Sequence, residues 1–343
     1  MAKVLLTGGS GFIGSHIAEL FSSKGIPTKC LLRKFSKQDF IEQLGLEIVY
    51  GDLLDLDSLK LSMKDVDFVI HTAGKSSDWG SYQDFYQTNV VGTLNILKAC
   101  AFSNITNVVI TGSVSSYGEE NNFTIKDEDS PFNSHYPYFL DKVFPSAMNY
   151  YRDTKAILTE EAILFAEENK LNLTVIEPAW VYGEREFNTG FYEYVKAAKD
   201  GMQWAPGSKN NKFQVIYAGD LAKAYLLAYE NKLSGVERFI IANPQSDKLA
   251  DIHRLFCQHA GIKAPKYLPK FLVYPAGFLM ETFSTWLRQK KPPLLTRARV
   301  DMMYDNIEFS GKKAAKLLSF KPGFTLAQGI KKTVQWYIDN GYL

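Results

Sequence analysis

Residues 4–14, Val-Leu-Leu-Thr-Gly-Gly-Ser-Gly-Phe-Ile-Gly, constrain the fold more than any other stretch of the chain. Val4–Thr7 is a short, mostly apolar run, and Phe12–Lys24 after it has helical spacing. A strand that turns through Gly8, Gly11 and Gly14 straight into a helix opens a βαβ unit built to hold a dinucleotide. Gly8 permits the tight turn, Gly11 lets backbone approach a pyrophosphate, and Gly14 lets the helix pack close on the strand. The free N–H groups at the helix start, around Phe12 and Ile13, face phosphate with the positive end of the helix dipole.

The alternation continues. Thr28–Leu32, Glu47–Tyr50, Phe68–His71, Asn107–Thr111 and Leu173–Glu177 are short apolar runs suited to strands buried on both faces. Helical patterns occupy Leu56–Met63, Phe85–Phe102 and Tyr150–Asn169. The expected fold class is α/β: a Rossmann doubly wound parallel sheet with a smaller, discontinuous C-terminal substrate-binding part. After Pro178 the texture becomes rich in Gly, Pro, Lys and Asn, then aromatic and basic. The expected division gives 1–180 and 213–245 to the dinucleotide-binding domain, and 181–212 and 246–343 to the substrate-binding part.

Composition removes several classes. Lys and Arg number 39 against 37 acids, a net charge of +2 without the electrostatic footprint of a nucleic-acid binder. Cys30, Cys100 and Cys257 are too few and too scattered for a disulfide framework or a zinc site, so reduced thiols, no metal and a cytoplasmic location are expected. Cleaving a leader from this amino end would destroy the glycine loop. Phe271–Leu287 is apolar but short for a span and interrupted by Pro275 and Glu281; it reads as a helix lining a greasy pocket, with membrane-surface attachment as the alternative.

The second strand speaks to the cofactor. An NAD site places an acid at its end for the ribose 2′-hydroxyl, whereas here Leu32 runs into Arg33 and Lys34, which suit a 2′-phosphate. NADP is therefore expected, with NAD as the alternative. Asp52, after the third strand, is a candidate for the adenine amino group or simply a helix N-terminal acid.

Tyr151 and Lys155 lie four apart on one helical face, and a neighbouring ammonium lowers a phenol's pKa from about 10 toward a useful range. Ser113 follows strand Asn107–Thr111, at the edge where open α/β sheets build their sites, and can donate to a carbonyl oxygen. Ser115 and Ser116 compete for that role. With the glycine loop and Asn89-Val90-Val91-Gly92-Thr93, these residues resemble the extended short-chain dehydrogenase/reductase family over nearly the whole chain. The resemblance implies Ser113 as the carbonyl-polarising hydroxyl, Tyr151 as acid/base, and Lys155 as the group that lowers the tyrosine pKa and grips the nicotinamide ribose. Asn89 matches the family's asparagine or is a structural amide. The cofactor contacts implied are Gly8, Gly11, Phe12, Ile13, Gly14, Arg33, Lys34, Asp52, Leu53, Ala73, Lys155 and Pro178. A homodimer built on helices Phe85–Phe102 and Tyr150–Asn169 is implied by the same analogy.

Within that family, Val114 and Ser115 stand where dehydratases place acids, which argues against dehydration. Glu177-Pro178 replaces the family's Arg-Pro. Residues 73–80 and 292–297 are similar to the 3β-hydroxysteroid dehydrogenase and dihydroflavonol reductase-like branch. The expected activity is interconversion of a ketone and a secondary alcohol on a hydrophobic small molecule: sterol-, flavonoid- or β-keto-acid-like. Trp79, Ser113, Trp180 and Tyr182 are the expected substrate contacts, with Phe187 and Trp204 as further aromatic candidates. Arg185 and Arg299 could hold a diphosphate, so a nucleotide-sugar 4-epimerase is the alternative, and a non-catalytic NAD(P)-sensing protein the second alternative.

Overall fold

Apolar runs of four to seven residues, most of them followed by a helix, favour parallel pairing, and seven strands take it up. In the computed structural model, which describes residues 2–118, 124–187 and 190–343, these are β1 (Val4–Thr7), β2 (Thr28–Leu32), β3 (Glu47–Tyr50), β4 (Phe68–His71), β5 (Asn107–Thr111), β6 (Asn172–Pro178) and β7 (Val236–Ile241). Residues 188 and 189, inside the expected substrate-binding segment, lie outside the described residues. The sheet order is β7-β6-β5-β4-β1-β2-β3, with every pairing parallel. Strand order reverses between β1 and β4, the switch point where such sheets open a crevice at their carboxyl ends.

Helices cover both faces. Helix α1 (Phe12–Ser23) and the helix Ala218–Asn231 bury Ile17, Phe21, Leu221 and Tyr225 against one face. On the other, α2 (Gly92–Phe102) and α3 (Ala147–Glu168) bury Ile96, Leu97, Leu158 and Ala162. A third core joins Tyr117 and Met148 to Tyr182, Phe191, Tyr217 and Phe256 from the later chain.

Three expectations change in detail. The pattern over Phe85–Phe102 is not one regular helix: Tyr82–Phe85 is followed by a π-helical turn, Tyr86–Val91, before α2. Helix α3 begins at Ala147, so Tyr151 and Lys155 stand within it rather than at its opening. Of residues 213–245, expected in the dinucleotide-binding domain, only β7 joins the main sheet, whereas Val215–Tyr217 pairs with Trp180–Tyr182 in a separate two-stranded ladder. Among the described residues, no helix is long and apolar enough to cross a membrane.

Three histidines are built into this interior as neutral rings. His71 on β4 lies between the hydroxyls of Thr7 (2.7 Å) and Thr93 (3.1 Å). His253 stacks on Tyr194 with ring centres 3.8 Å apart, and His16 bonds the Glu184 carbonyl at 2.8 Å. Burial pushes His71 and His253 down to about 3, and His16 to about 4. Unfolded imidazoles take a proton near pH 6.5. Between that value and their folded ones the unfolded chain binds more protons, so these rings make stability fall as pH drops below about 6.5. The exposed His135, raised by its bond to Asp153, acts in the opposite direction. Replacing His253 by Phe, which preserves the stacking, should remove about one proton from the pH dependence of unfolding between roughly pH 4 and 6.5. Urea denaturation across that range measures it, and a slope identical to wild type would show that His253 titrates normally when folded.

Candidate active site

The loop after β1 is shaped by backbone crowding. Gly8 has φ +75°, and a Cβ there would come 2.7 Å from the Ala73 amide nitrogen. A Cβ on Gly14 would lie 2.0 Å from the Gly8 carbonyl oxygen, so α1 can start this close to the strand only without one. Gly11 is the N-cap of α1 and supplies no side-chain cap to the first-turn N–H groups. A narrow, uncapped helix start of this kind fits a pyrophosphate. Across the cleft, Ala73 donates its N–H to Thr7 Oγ1 at 3.3 Å.

Arg33 and Lys34 lie at the carboxyl end of β2 with exposed side chains. Asp52 is also exposed, and its Oδ1 accepts the Leu54 N–H at 2.9 Å. The helix that follows is capped instead by Asp55, which accepts from Asp57 and Ser58. Asp52 is thus a turn residue rather than a helix-capping acid. Leu53 packs beneath Gly92, and Pro178 closes β6 opposite Ile241.

The chemistry gathers at the end of β5. Ser113 caps the short 3₁₀ turn Val114–Tyr117, with its Oγ accepting the Ser115 N–H at 3.2 Å and lying 2.7 Å from Ser115 Oγ. The Tyr151 hydroxyl donates to the same Ser113 oxygen at 3.3 Å. Lys155, one turn further along α3, is buried and donates Nζ to the Thr111 carbonyl at 2.7 Å. Burial pushes its ammonium down to about 8. All three serines are buried, and it is Ser113 that the Tyr151 hydroxyl reaches. Asn89, in the π-helical turn, accepts the Lys75 N–H at 2.8 Å and donates to Lys75 O and Thr154 Oγ1 at 3.2 Å each. Its amide ties the segment after β4 to α3, which is a structural role.

Glu177 is completely buried below this turn. Tyr117 donates to Glu177 Oε2 at 2.7 Å, and Arg238 on the neighbouring β7 reaches Oε1 at 3.3 Å and also bonds the Tyr117 hydroxyl. Burial pushes the Glu177 carboxyl up to about 7, with Arg238 and Tyr117 acting against it. A Cβ on Gly112 would meet Glu177 Cγ at 2.8 Å, so the serine turn rests directly on this side chain. The Glu177 position was visible in the sequence. Its arginine was not, because Arg238 lies 61 residues away and meets it only across a strand pair.

The expected substrate residues separate. Trp79 is partly exposed, and its Nε1 donates to the Gln289 carbonyl at 2.8 Å. Trp180 is half-buried against Phe213, with ring centres 5.2 Å apart. Tyr182 lies in the core among Phe191, Tyr217 and Phe256, buried rather than lining an open cleft. Phe187 packs on Tyr337 and Tyr342, and Trp204 is half exposed. The two arginines considered for a diphosphate have acidic partners. Arg185 bonds Glu19 at 2.7 Å and lies over Phe40; Arg299 grips Asp78 through both Nε and Nη2.

The profile of the NAD dependent epimerase/dehydratase family matches residues 4–242. A decarboxylating sterol-4-alpha-carboxylate 3-dehydrogenase of Schizosaccharomyces pombe is 29% identical over 349 residues, covering 98% of this chain and 97% of that one. A 2-alkyl-3-oxoalkanoate reductase of Stenotrophomonas maltophilia is 24% identical, covering 96% and 98%. Among solved structures, the UDP-glucose 4-epimerase of Thermotoga maritima superposes with a TM-score of 0.76 at 20% identity, covering 98% and 99%, a likeness of fold.

The buried Glu177–Arg238 pair yields a stability test. Arg238→Met should cost about 3 kcal/mol at pH 8, because it strands a buried carboxylate. The loss should shrink at pH 6, where Glu177 can take up a proton instead. Equal losses at both pH values in chemical denaturation would show that the carboxylate does not depend on Arg238.

Proposed function

The chain belongs to the NAD dependent epimerase/dehydratase family, and from that premise we propose that it is a nicotinamide-dependent oxidoreductase interconverting a ketone and a secondary alcohol on a hydrophobic small molecule. The observation that carries this reading is the Tyr151 hydroxyl bonded to Ser113 Oγ at 3.3 Å, beside a buried Lys155. A carbonyl oxygen seated between the two hydroxyls accepts a hydrogen bond from each. Ser113 holds the oxygen and stabilises the charge that develops on it, while Tyr151 donates the proton that completes the alcohol. In the reverse direction Tyr151 takes that proton back. Lys155 bears positive charge toward the phenol oxygen and favours its ionised form. A bound nicotinamide supplies or accepts the hydride; the turn at Gly8 and the uncapped start of α1 hold its pyrophosphate. Arg33 and Lys34 hold a 2′-phosphate, so the cofactor in this reading is NADP. Residues 1–180 and 213–245 carry the cofactor, and 181–212 with 246–343 carry the substrate.

Charge supports this substrate class as much as the relatives do. The named activities of the sterol dehydrogenase and the oxoalkanoate reductase are both oxidoreductions on largely apolar molecules. A sugar nucleotide would require unpaired cations for its diphosphate, and Arg185 and Arg299 are already neutralised by Glu19 and Asp78. A sterol-4-carboxylate or 3-oxoalkanoate carries one carboxylate on an otherwise apolar body and no diphosphate, so it does not call for that pair of arginines.

Two experiments test the reading. Tyr151→Phe keeps the ring but not the transferable proton, so ketone-dependent oxidation of the reduced cofactor should fall by about a hundred- to ten-thousand-fold, with cofactor affinity unchanged. Near-normal turnover in that variant would move the acid/base role to another group. Wild type should bind NADPH more tightly than NADH, and neutralising Arg33 and Lys34 together should raise the NADPH dissociation constant by about ten- to a hundredfold while leaving NADH nearly unaffected. Titration at low salt decides this, and equal wild-type affinities would assign the site to NAD.

A further inference from the structure

The helix expected to line a greasy pocket is turned the other way. Helix α4 (Lys270–Trp286) buries Val273, Gly277, Glu281 and Ser284, a face that is small and polar apart from one valine. Gly277 lets it approach Thr296 and Val300, where a Cβ would stand 3.1 Å from Val300 Cγ2. Glu281 is anchored from below, accepting the Arg297 backbone N–H at 2.9 Å and its Nε at 2.8 Å. The apolar residues are left outside: Phe271 and Trp286 are each 73% exposed, Leu279 65%, Phe283 59% and Leu272 55%. Leu272, Leu279, Phe283 and Trp286 follow helical spacing and form one stripe.

The stripe has company. Phe139, Leu140 and Val143 are exposed on the loop alongside, which is held there by Arg297 through the Phe139 and Phe144 carbonyls and by Phe139 and Phe144 packing edgewise on Phe278. Around the apolar surface the charge has one sign. Lys142, Arg288, Lys290 and Lys291 are all exposed, whereas the only acids in residues 139–145 and 270–294, Asp141 and Glu281, are buried.

We propose that this face docks on the surface of a lipid bilayer carrying anionic headgroups, with α4 lying in the interface. Aromatic and aliphatic side chains on one stripe, a tryptophan at its end and cations immediately beyond are the features such a surface recognises. At 17 residues with Pro275 inside, the helix lies on the membrane rather than crossing it. A second copy of the chain fits the same patch poorly, because a two-fold contact would bring Lys142, Arg288, Lys290 and Lys291 against their own kind. The inference does not rest on the proposed activity. The Gln289 carbonyl that follows α4 receives the Trp79 side chain, which ties this end of the helix to the loop after β4.

Flotation of the full chain with vesicles tests the proposal directly. Vesicles of phosphatidylcholine with about one-third phosphatidylserine should carry the protein up the gradient, and pure phosphatidylcholine vesicles should carry much less. Replacing Leu279, Phe283 and Trp286 together by Ser should lower the partition coefficient by at least about tenfold. Arg288→Gln with Lys290→Gln should lower it by about fivefold per cation on the anionic vesicles only, and added salt should do the same. Thermal unfolding midpoints no lower than wild type keep the variants interpretable, and a blue shift of tryptophan emission that disappears in Trp286→Phe would place this helix at the lipid. Flotation unaffected by the triple substitution would overturn the proposal. So would a concentration-dependent dimer that the same substitution dissolves while no vesicle binds, which would assign the face to a second copy.

Discussion

Lys155 donating its buried ammonium to the Thr111 carbonyl is the contact around which the site is arranged. Thr111 ends the interior strand β5, and the bond clamps α3 across the carboxyl edge of the sheet. Because α3 is clamped there, Tyr151 one turn earlier meets Ser113 two residues beyond Thr111. The lysine reaches that carbonyl only by leaving water, and burial lowers its hold on its proton to about pH 8. One interaction thus sets where α3 lies against the end of β5 and takes the ammonium out of water. The Thr111 hydroxyl adds a second tie, donating to the His71 carbonyl on β4 at 3.1 Å.

Buried and part-buried ion pairs do the remaining positioning, each on a segment that apolar packing alone would leave loose. Glu177 and Arg238 support the serine turn through Tyr117. Asp78 and Arg299 hold the loop after β4 against the C-terminal part of the chain. Glu281 and Arg297 fasten α4 with its apolar stripe outward. A buried pair contributes little net stability, since desolvation offsets most of the attraction, but either partner alone is costly. Such pairs therefore select one arrangement of loops more than they strengthen it.

The features legible in the chain were those with short-range causes. Strands β1 to β5 fall at the expected residues because short apolar runs flanked by breakers have few other options. The crowding around Gly8 and Gly14 follows from the spacing of the glycines alone, and Ser113, Tyr151 and Lys155 do come together. The π-helical turn at Tyr86–Val91 was hidden, since its apolar spacing resembles that of an ordinary helix. Tyr182 looked like a substrate contact because an aromatic after a strand end reads the same whether it faces a cleft or a core.

By itself, then, the sequence determined the parallel α/β sheet, the dinucleotide loop and the residue types that meet at the end of β5. These depend on local propensity and on periodicities of a few residues. Only the tertiary structure decided which charges are spent and which surfaces stay bare. It paired Arg238 with Glu177 and Arg299 with Asp78, and it turned the aromatic face of Lys270–Trp286 away from the protein. The physical reason is that charge pairing and burial are settled between residues 16 to 221 positions apart, and no pattern along the chain records which distant partner reaches a buried group first.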